Sequence, residues 1–498
     1  MKRLSRWLGL GFGVLALAGC GEASRATPSA AAAQAPAASV SPLDLSTILI
    51  EGVPHVAQKP DFCGEACVEM AERKLGRAVS QDDVFGLAGI DPSLGRGAYT
   101  KELVRAATSL GFEVGAVWYT TPASEPARGM DEQFKAVHAD LARGVPSILC
   151  MHYGDGAGSP EHFRLVVGYD QATDEIVYHE PAEENGAYRR MSRAHLYALW
   201  PLKYEDAKWT LIRIPLAPGS LTDPPKRGAG PTAADYTQHL RALKERLPEG
   251  FAIRFEDPFV VVGNESDAGL ERHAKSTVRW AVDHLRADFF DESPKEILDV
   301  WLFRDASSYE DGVLELTGES PSTPYGFYSP SKKGLFMNIS TGGGTLVHEI
   351  VHPFVQADLA AHGWADPPAW INEGMGSLFE QSAERDGHII GLTNWRLAGL
   401  QKAIKKGQTL PTFQELAAMS DHAFYDEDRG TNYAEARYLM YWLQENDLLR
   451  PFYKLVRGRH EDDPTGYESL VSVLGDRDMP TFEAEWKQYV LGLRFDPN

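Results

Sequence analysis

The chain is poor in cysteine, poor in positive charge and without a long apolar run in its interior. Four cysteines among 498 residues are too few to staple a disulfide scaffold. Lys and Arg number 49 against 70 Asp and Glu, a formal net charge of −21. Gripping phosphates takes clustered cations, so no nucleic-acid partner is expected. An anionic surface would repel such a chain, and membrane contact therefore needs an anchor. No internal run reaches the roughly 18 apolar residues that span a bilayer, and no repeat of fixed period is visible. What is present is a globular composition. Hydrophobic residues at 43% and charged residues at 24% argue against disorder, and the length suggests about three domain-sized units.

The first twenty residues, MKRLSRWLGLGFGVLALAGC, supply the anchor. Lys2, Arg3 and Arg6 form a positive start, and the apolar stretch 7–18 is too short to span. Residues 1–20 have the pattern of a secretory signal. Their end, Leu17-Ala18-Gly19-Cys20, resembles the bacterial lipobox. That resemblance implies a lipidated Cys20 as the mature N-terminus, each buried methylene contributing about 0.8 kcal/mol to holding it on a bilayer. Gly21 follows instead of an Asp, so in a Gram-negative host the outer membrane is the expected location. Residues 21–45, rich in Ala, Pro and Ser, read as a tether. A second Pro- and Gly-rich stretch at 217–233 reads as a linker, which makes 46–216 and 234–498 separate domains.

In the first domain, Cys67, Ala71 and Leu75 repeat at helical spacing and Gly76 is a natural stop, predicting a helix over 64–75. Cys63 then stands at its N-terminus, where the helix dipole favours a thiolate. Gln58 lies five residues upstream, where its amide can point at an oxyanion beside Cys63. Farther on, 162–168 and 175–180 read as an antiparallel hairpin. A turn centred on Gln171 sets His162 opposite Glu180 on one face and His179 on the other. Cys63, His162 and Glu180 thus form a nucleophile, a base and an orienting acid. A Cys63–Cys67 disulfide is not expected, because one helical turn separates their β-carbons by about 5–6 Å and a bridge needs about 3.8 Å. With Cys20 lipidated, either Cys67 pairs with Cys150 and Cys63 stays free, or all three thiols are reduced.

The ordered set Gln58, Cys63-Gly64-x-Ala66-Cys67, His162 and Glu180-Pro181 resembles the bacteriocin-processing, papain-like cysteine peptidases and their peptidase-like relatives, over roughly residues 46–215. The resemblance implies a papain-like α+β fold with Cys63 as nucleophile, His162 as base, Gln58 as oxyanion donor and Glu180 as orienter. That family usually carries Asp before the Pro, and Glu is one methylene longer.

In the second domain, 251–263, 296–303 and 334–340 are strand-like, and 236–246 and 270–290 are helix-like. Next comes His348-Glu349-x-x-His352. At i and i+4 both imidazoles project from one helix face, and Glu349, offset by one, reaches a water on a shared metal. A second helical run opens at Trp370-Ile371-Asn372-Glu373-Gly374 and extends to about Arg385, returning the Glu373 carboxylate to the same point. Three protein ligands leave a fourth position for water, whose pKa would fall toward about 7. Pro353 directly after His352 predicts a kinked or terminated helix.

His348-Glu349-x-x-His352 with the distal Trp-Ile-Asn-Glu-Gly resembles the gluzincin metallopeptidases over roughly 235–490. The resemblance implies a zincin domain with a small β-sheet and a mostly helical C-terminal part. It implies Zn2+ held by His348, His352 and Glu373, Glu349 as general base, and Tyr433 of Asn432-Tyr433-Ala434-Glu435 as a transition-state donor, with His422 as its rival. Ser377 stands where some gluzincins orient a histidine with an acid, so another acceptor is required. Other divalent ions can use such ligands. The expected protein is an exported, lipid-anchored α+β peptidase acting on a peptide or protein substrate. Its second domain would use zinc, and its first would add thiol-dependent amide hydrolysis, on peptides or on cell-wall cross-links. The alternative is a cell-surface binding scaffold built from inactive peptidase folds.

Overall fold

The computed structural model describes residues 42–425, 430–475 and 477–495. The predicted signal, Cys20 and most of the tether lie outside these residues. No helix among the described residues is long and apolar enough to cross a membrane. The chain is mixed α and β and divides into two compact units, 1–228 with 232–244, and 229–231 with 245–498.

The first unit holds strands β1 (Ile48–Leu49), β2 (Phe112–Glu113), β3 (Trp118–Pro122), β4 (Ser147–His152), β5 (Glu161–Asp170), β6 (Glu175–His179), β7 (Arg189–Ser192), β8 (Leu202–Glu205), β9 (Lys208–Pro215) and β10 (Ala217–Pro218). Its antiparallel main sheet runs β3-β9-β4-β5-β6-β7, with β1 on β5 and β8 on β9. Nearly every residue of strands β4 and β5 is buried, as central strands covered on both faces require, and the polar His162 and Arg164 are buried among them. The helix Cys63–Lys74 packs on β5, and Gly64 makes the approach possible. A β-carbon at Gly64 would stand 2.6 Å from a Leu103 methyl and 2.9 Å from the Phe163 ring. Lacking one, the helix start settles beside the residue next to His162.

The hairpin register differs from the predicted one. Gly168 pairs with Val177 and Tyr169 with Ile176, but a bulge between Val166 and Gly168 shifts the pairing so that Leu165 meets His179. Glu180 follows the end of β6, and continuing this pairing sets it across from Arg164, not from His162. The bulge decides the chemistry. Without it, Glu180 would fall on the opposite face from His162, because a one-residue slip inverts side-chain direction.

The predicted linker is structured where it leaves the sheet. Strand β10 pairs with β2, Arg77 bonds to Thr222 O, and Arg227 donates to Asp83. The helix Ala233–Arg246, expected to open the second domain at 234, groups with the first unit up to Lys244.

The second unit has a five-stranded sheet of β11 (Ala252–Glu256), β12 (Phe259–Gly263), β13 (Leu298–Phe303), β14 (Gly326–Ser329) and β15 (Gly334–Asn338), in the order β11-β12-β13-β15-β14. Its inner pairs are parallel, and the edges β11 and β14 are antiparallel. The single predicted strand 251–263 is thus a hairpin of two. The rest of the unit is mostly helical. The helix Gly343–Ala361 runs unbroken through Pro353, so the predicted kink or stop at His352 does not end it. An interior proline costs about 3 kcal/mol, and Phe354, Val355 and Leu359 beyond it are fully buried, each contributing about 1.5–3 kcal/mol. The helix Ala369–Leu378 stops short of the predicted Arg385. There Ser382–Arg385 pairs with His388–Gly391 across Asp386 and Gly387, both at positive φ, the residue pair a tight hairpin turn prefers.

Candidate functional site

The first unit brings a buried imidazole and a buried carboxylate to the mouth of the Cys63 helix. Cys63 is the first helical residue. His162 donates from Nε2 to Glu180 Oε1 at 2.5 Å, its Nδ1 is buried with no hydrogen-bond partner in place, and the Cys63 thiol lies near enough to act on the ring electrostatically. Burial opposes a charge on His162, but Cys63 and Glu180 outweigh it and raise the imidazole above its usual range. Burial would likewise raise Glu180, but the His162 bond and the charges of His162 and Arg164 hold it down at about 2. Glu180 reaches His162 along the diagonal that the bulge creates, and its extra methylene spans that longer path. Arg164, two residues along the same strand face and unforeseen, locks the second carboxylate oxygen through Nε at 2.6 Å. Its signal was the i, i+2 spacing from His162.

Gln58 donates its backbone N–H to Pro181 O at 2.8 Å, which ties the loop before Cys63 to the residue after Glu180. Its side-chain Oε1 is buried without a partner. His55, also unforeseen, bonds through Nε2 to Glu180 O at 2.9 Å. His179 is buried between His55 and Tyr188, and burial with the His55 charge lowers it to about 4. Cys63, Cys67 and Cys150 are buried and none is in a disulfide; of the two cysteine arrangements left open by the sequence, the structure has the three thiols.

In the second unit, His348 and His352 face each other with ring centroids 4.8 Å apart. Glu373 returns from the following helix, its Oε2 standing 3.2 Å from His348 Nε2 and its Oε1 3.9 Å from His352 Nε2. Gly376, one turn beyond Glu373, clears space for both rings: a β-carbon there would stand 3.1 Å from His352 and 3.2 Å from His348. Four ligands at about 2.0–2.1 Å from a tetrahedral ion are spaced roughly 3.3 Å apart, a spacing that the His348–Glu373 pair approaches and the His352–Glu373 pair exceeds. His348, Glu349 and His352 form a group that could hold a metal ion, one donor atom from each lying within 4.8 Å of the others, and Glu349 Oε2 lies 3.8 Å from His352 Nε2. Of the two carboxylates, Glu373 approaches the Nε2 atoms of both imidazoles, whereas Glu349 pairs only with that of His352. Burial raises the Glu349 carboxyl, opposed by the charges of His348 and His352 and by the nearby backbone of Tyr328 on the edge strand β14.

The acid missing at Ser377 has a counterpart in Glu380, whose Oε1 forms an ion pair 3.1 Å from His348 Nδ1 without hydrogen-bond geometry. Arg396 grips Glu380 with Nε and a terminal nitrogen at 2.8 and 2.6 Å. Tyr425, also unforeseen, donates to Glu373 Oε1 at 2.9 Å. Tyr433 lies behind it, 6.0 Å from the Tyr425 ring and 5.2 Å from the Arg396 guanidinium. His422 is exposed. Burial works against ionised Glu373, yet His352 and His348 bring it to about 2. Burial also opposes charge on His348, but Glu373 and Glu380 raise it to about 10. The same cluster of buried carboxylates that draws a proton there would draw a metal cation.

Residues 50–207 match the model of the Peptidase_C39 like family. That span contains Gln58, Cys63, His162 and Glu180, and it supports a peptidase of cysteine type. Residues 343–461, which span every residue of the second cluster, match a family described as a protein of unknown function, DUF1570. No curated protein matches the chain.

The Peptidase_C39-like unit also buries an acid that the sequence reading passed over. Glu65 is completely inaccessible, accepts the Ala98 N–H at 2.7 Å, and is raised to about 8 by burial and then by Cys63. Between its ordinary 4.5 and about 8, the folded state holds a proton that the unfolded chain has released, so stability falls as pH rises through that window. Glu65→Gln is expected to flatten this slope and to gain on the order of 2–4 kcal/mol at pH 8.5, with little change at pH 4. The urea midpoint at which buried Cys67 becomes alkylated measures it; identical pH slopes for the two proteins would reject the assignment.

Proposed function

We propose that the chain is an exported, lipid-anchored peptidase with two hydrolytic centres, a thiol centre in the first unit and a zinc centre in the second. The observation that carries the zinc reading is the convergence of Glu373 on both imidazoles of His348 and His352, with Glu349 beside them. Export and the anchor rest on the signal pattern and Cys20.

At the zinc centre, His348, His352 and Glu373 would hold the ion, which when bound supplies Lewis acidity and a water acidic enough to ionise near neutral pH. Glu380 keeps His348 presenting Nε2 to the site, as an outer acceptor does, and Arg396 holds Glu380. Glu349 takes the proton from the attacking water and returns it to the leaving amine. The edge strand β14 offers backbone groups alongside, the kind of surface on which an extended peptide pairs. Tyr433, with Tyr425 in front of it, is the candidate donor to the developing oxyanion.

At the thiol centre, His162 takes the Cys63 proton and later protonates the leaving amine, while Glu180 fixes the ring and favours its charged form. Gln58 is the oxyanion donor.

The deciding experiment is metal analysis of the purified chain. One zinc per chain is expected, with His348→Ala and Glu373→Ala each losing it and Cys63→Ala keeping it. A metal-free wild type that takes up no zinc on addition overturns the reading and favours the inactive scaffold.

A further inference from the structure

The helix Ala233–Arg246 lies beyond the 50–207 match, yet it is bonded to the turn that delivers Cys63. Gln238 Nε2 donates to Pro60 O at 3.0 Å. Arg241 forms an ion pair with Asp61. Lys244 Nζ donates to Ser93 O at 2.6 Å and to Leu94 O at 3.2 Å. Two of these three anchors therefore land on the two residues just before the helix cap.

Asp61 has a φ of 65°, in the left-handed region that aspartate enters more readily than most residues but glycine takes freely, and its side chain is only 3% exposed. A buried carboxylate needs a counter-charge. Phe62, which caps the Cys63 helix, offers no side-chain bond to the first turn. The direction in which that helix starts is therefore set by the turn before it, and that turn holds a buried carboxylate that persists only with its counter-charge in place.

We propose that Arg241 is a positioning residue for the thiol centre: its ion pair with Asp61 holds the left-handed turn that aims the Cys63 helix, and with it the sulfur, at His162. The proposal rests on the thiol reading above. It makes the helix after the linker part of the catalytic apparatus of the first unit, an addition that the matched family segment does not contain.

The test uses the full chain and the rate at which iodoacetamide alkylates Cys63 at pH 7, read by peptide mapping, with Cys67 and Cys150 reporting whether the fold is intact. Arg241→Lys, which keeps the ion pair, is expected to stay within twofold of wild type. Arg241→Ala is expected to slow Cys63 about tenfold while Cys67 and Cys150 remain protected. Adding Asp61→Gly to Arg241→Ala should restore the rate, because glycine takes positive φ freely and leaves no charge buried. An unchanged rate in Arg241→Ala, or a loss that Asp61→Gly does not repair, overturns the proposal while leaving the thiol reading intact. If Arg241→Ala exposes the two buried thiols, the double variant decides alone: wild-type reactivity supports the positioning role and a tenfold deficit overturns it. A wild-type Cys63 no faster than Cys67 and Cys150 removes the thiol reading, and this proposal with it.

Discussion

Glu349→Gln, made in a Cys63→Ala background so that only the second centre is read, is expected to keep its zinc and lose peptide cleavage by about 10³-fold, within the range that a positioned general base supplies. The substitution preserves shape and removes only the ability to take a proton. The proposed ligands His348, His352 and Glu373 are untouched, so metal content should match that of the parent. Glu349 lies 3.8 Å from His352 Nε2 and is buried with the ligand set, near enough to a water in the fourth position to act on it. If variant and parent cleave equally, Glu349 is not the base and the mechanism fails. If the variant loses its zinc, Glu349 is a ligand, and the roles of Glu349 and Glu373 must be exchanged.

At the thiol centre, Cys63→Ala is expected to abolish cleavage by the first unit. A thiol-directed alkylator should label Cys63 before Cys67 or Cys150 in the wild type. Glu180→Gln tests the departure from the usual Asp. It replaces the charged acceptor of the 2.5 Å bond from His162 with a neutral amide and leaves Arg164 buried opposite it. Loss of the orienting carboxylate is expected to lower the thiol-dependent rate by about 10² to 10⁴. It also has a stability signature whose sign follows from the depressed carboxyl. With a folded value of about 2, Glu180 contributes stability in full above its ordinary 4.5, and the contribution disappears as pH falls through about 2. Glu180→Gln should therefore cost on the order of 3 kcal/mol at pH 7 and little near pH 2. Urea unfolding at the two pH values measures it. Equal cost at both would mean that Glu180 is held by packing rather than by charge, and an unchanged cleavage rate would strike it from the site.

How much of this was legible depends on how far along the chain each relation reaches. His348 and His352 share a helix face because 3.6 residues make a turn, and Cys63 begins a helix because the apolar spacing starts there. Both follow from local geometry and both stand in the structure. The returning carboxylate was readable for a related reason: one helix, a turn and a second helix form a short excursion with few ways to close. The outer partners were not readable. Glu380 is seven residues past Glu373 and two past the end of that helix, so no helical spacing points to it, and Tyr425 reaches Glu373 from 52 residues away. Continuation through Pro353 was misjudged because the local rule counts the lost N–H and not the buried side chains beyond it.

The sequence by itself determined which chemical groups this protein can bring to bear: a thiol at a helix start, an imidazole on a strand, and paired imidazoles with a glutamate beside them. Tertiary structure alone decided which of these meet. A single bulge between Val166 and Gly168 sets Glu180 on the face of His162, and a helix more than 170 residues downstream closes on the turn before Cys63. Side-chain identity and helical period are fixed within a few residues, whereas strand register and long-range closure are selected by the whole packed unit, whose cooperative burial is encoded in no single stretch of chain.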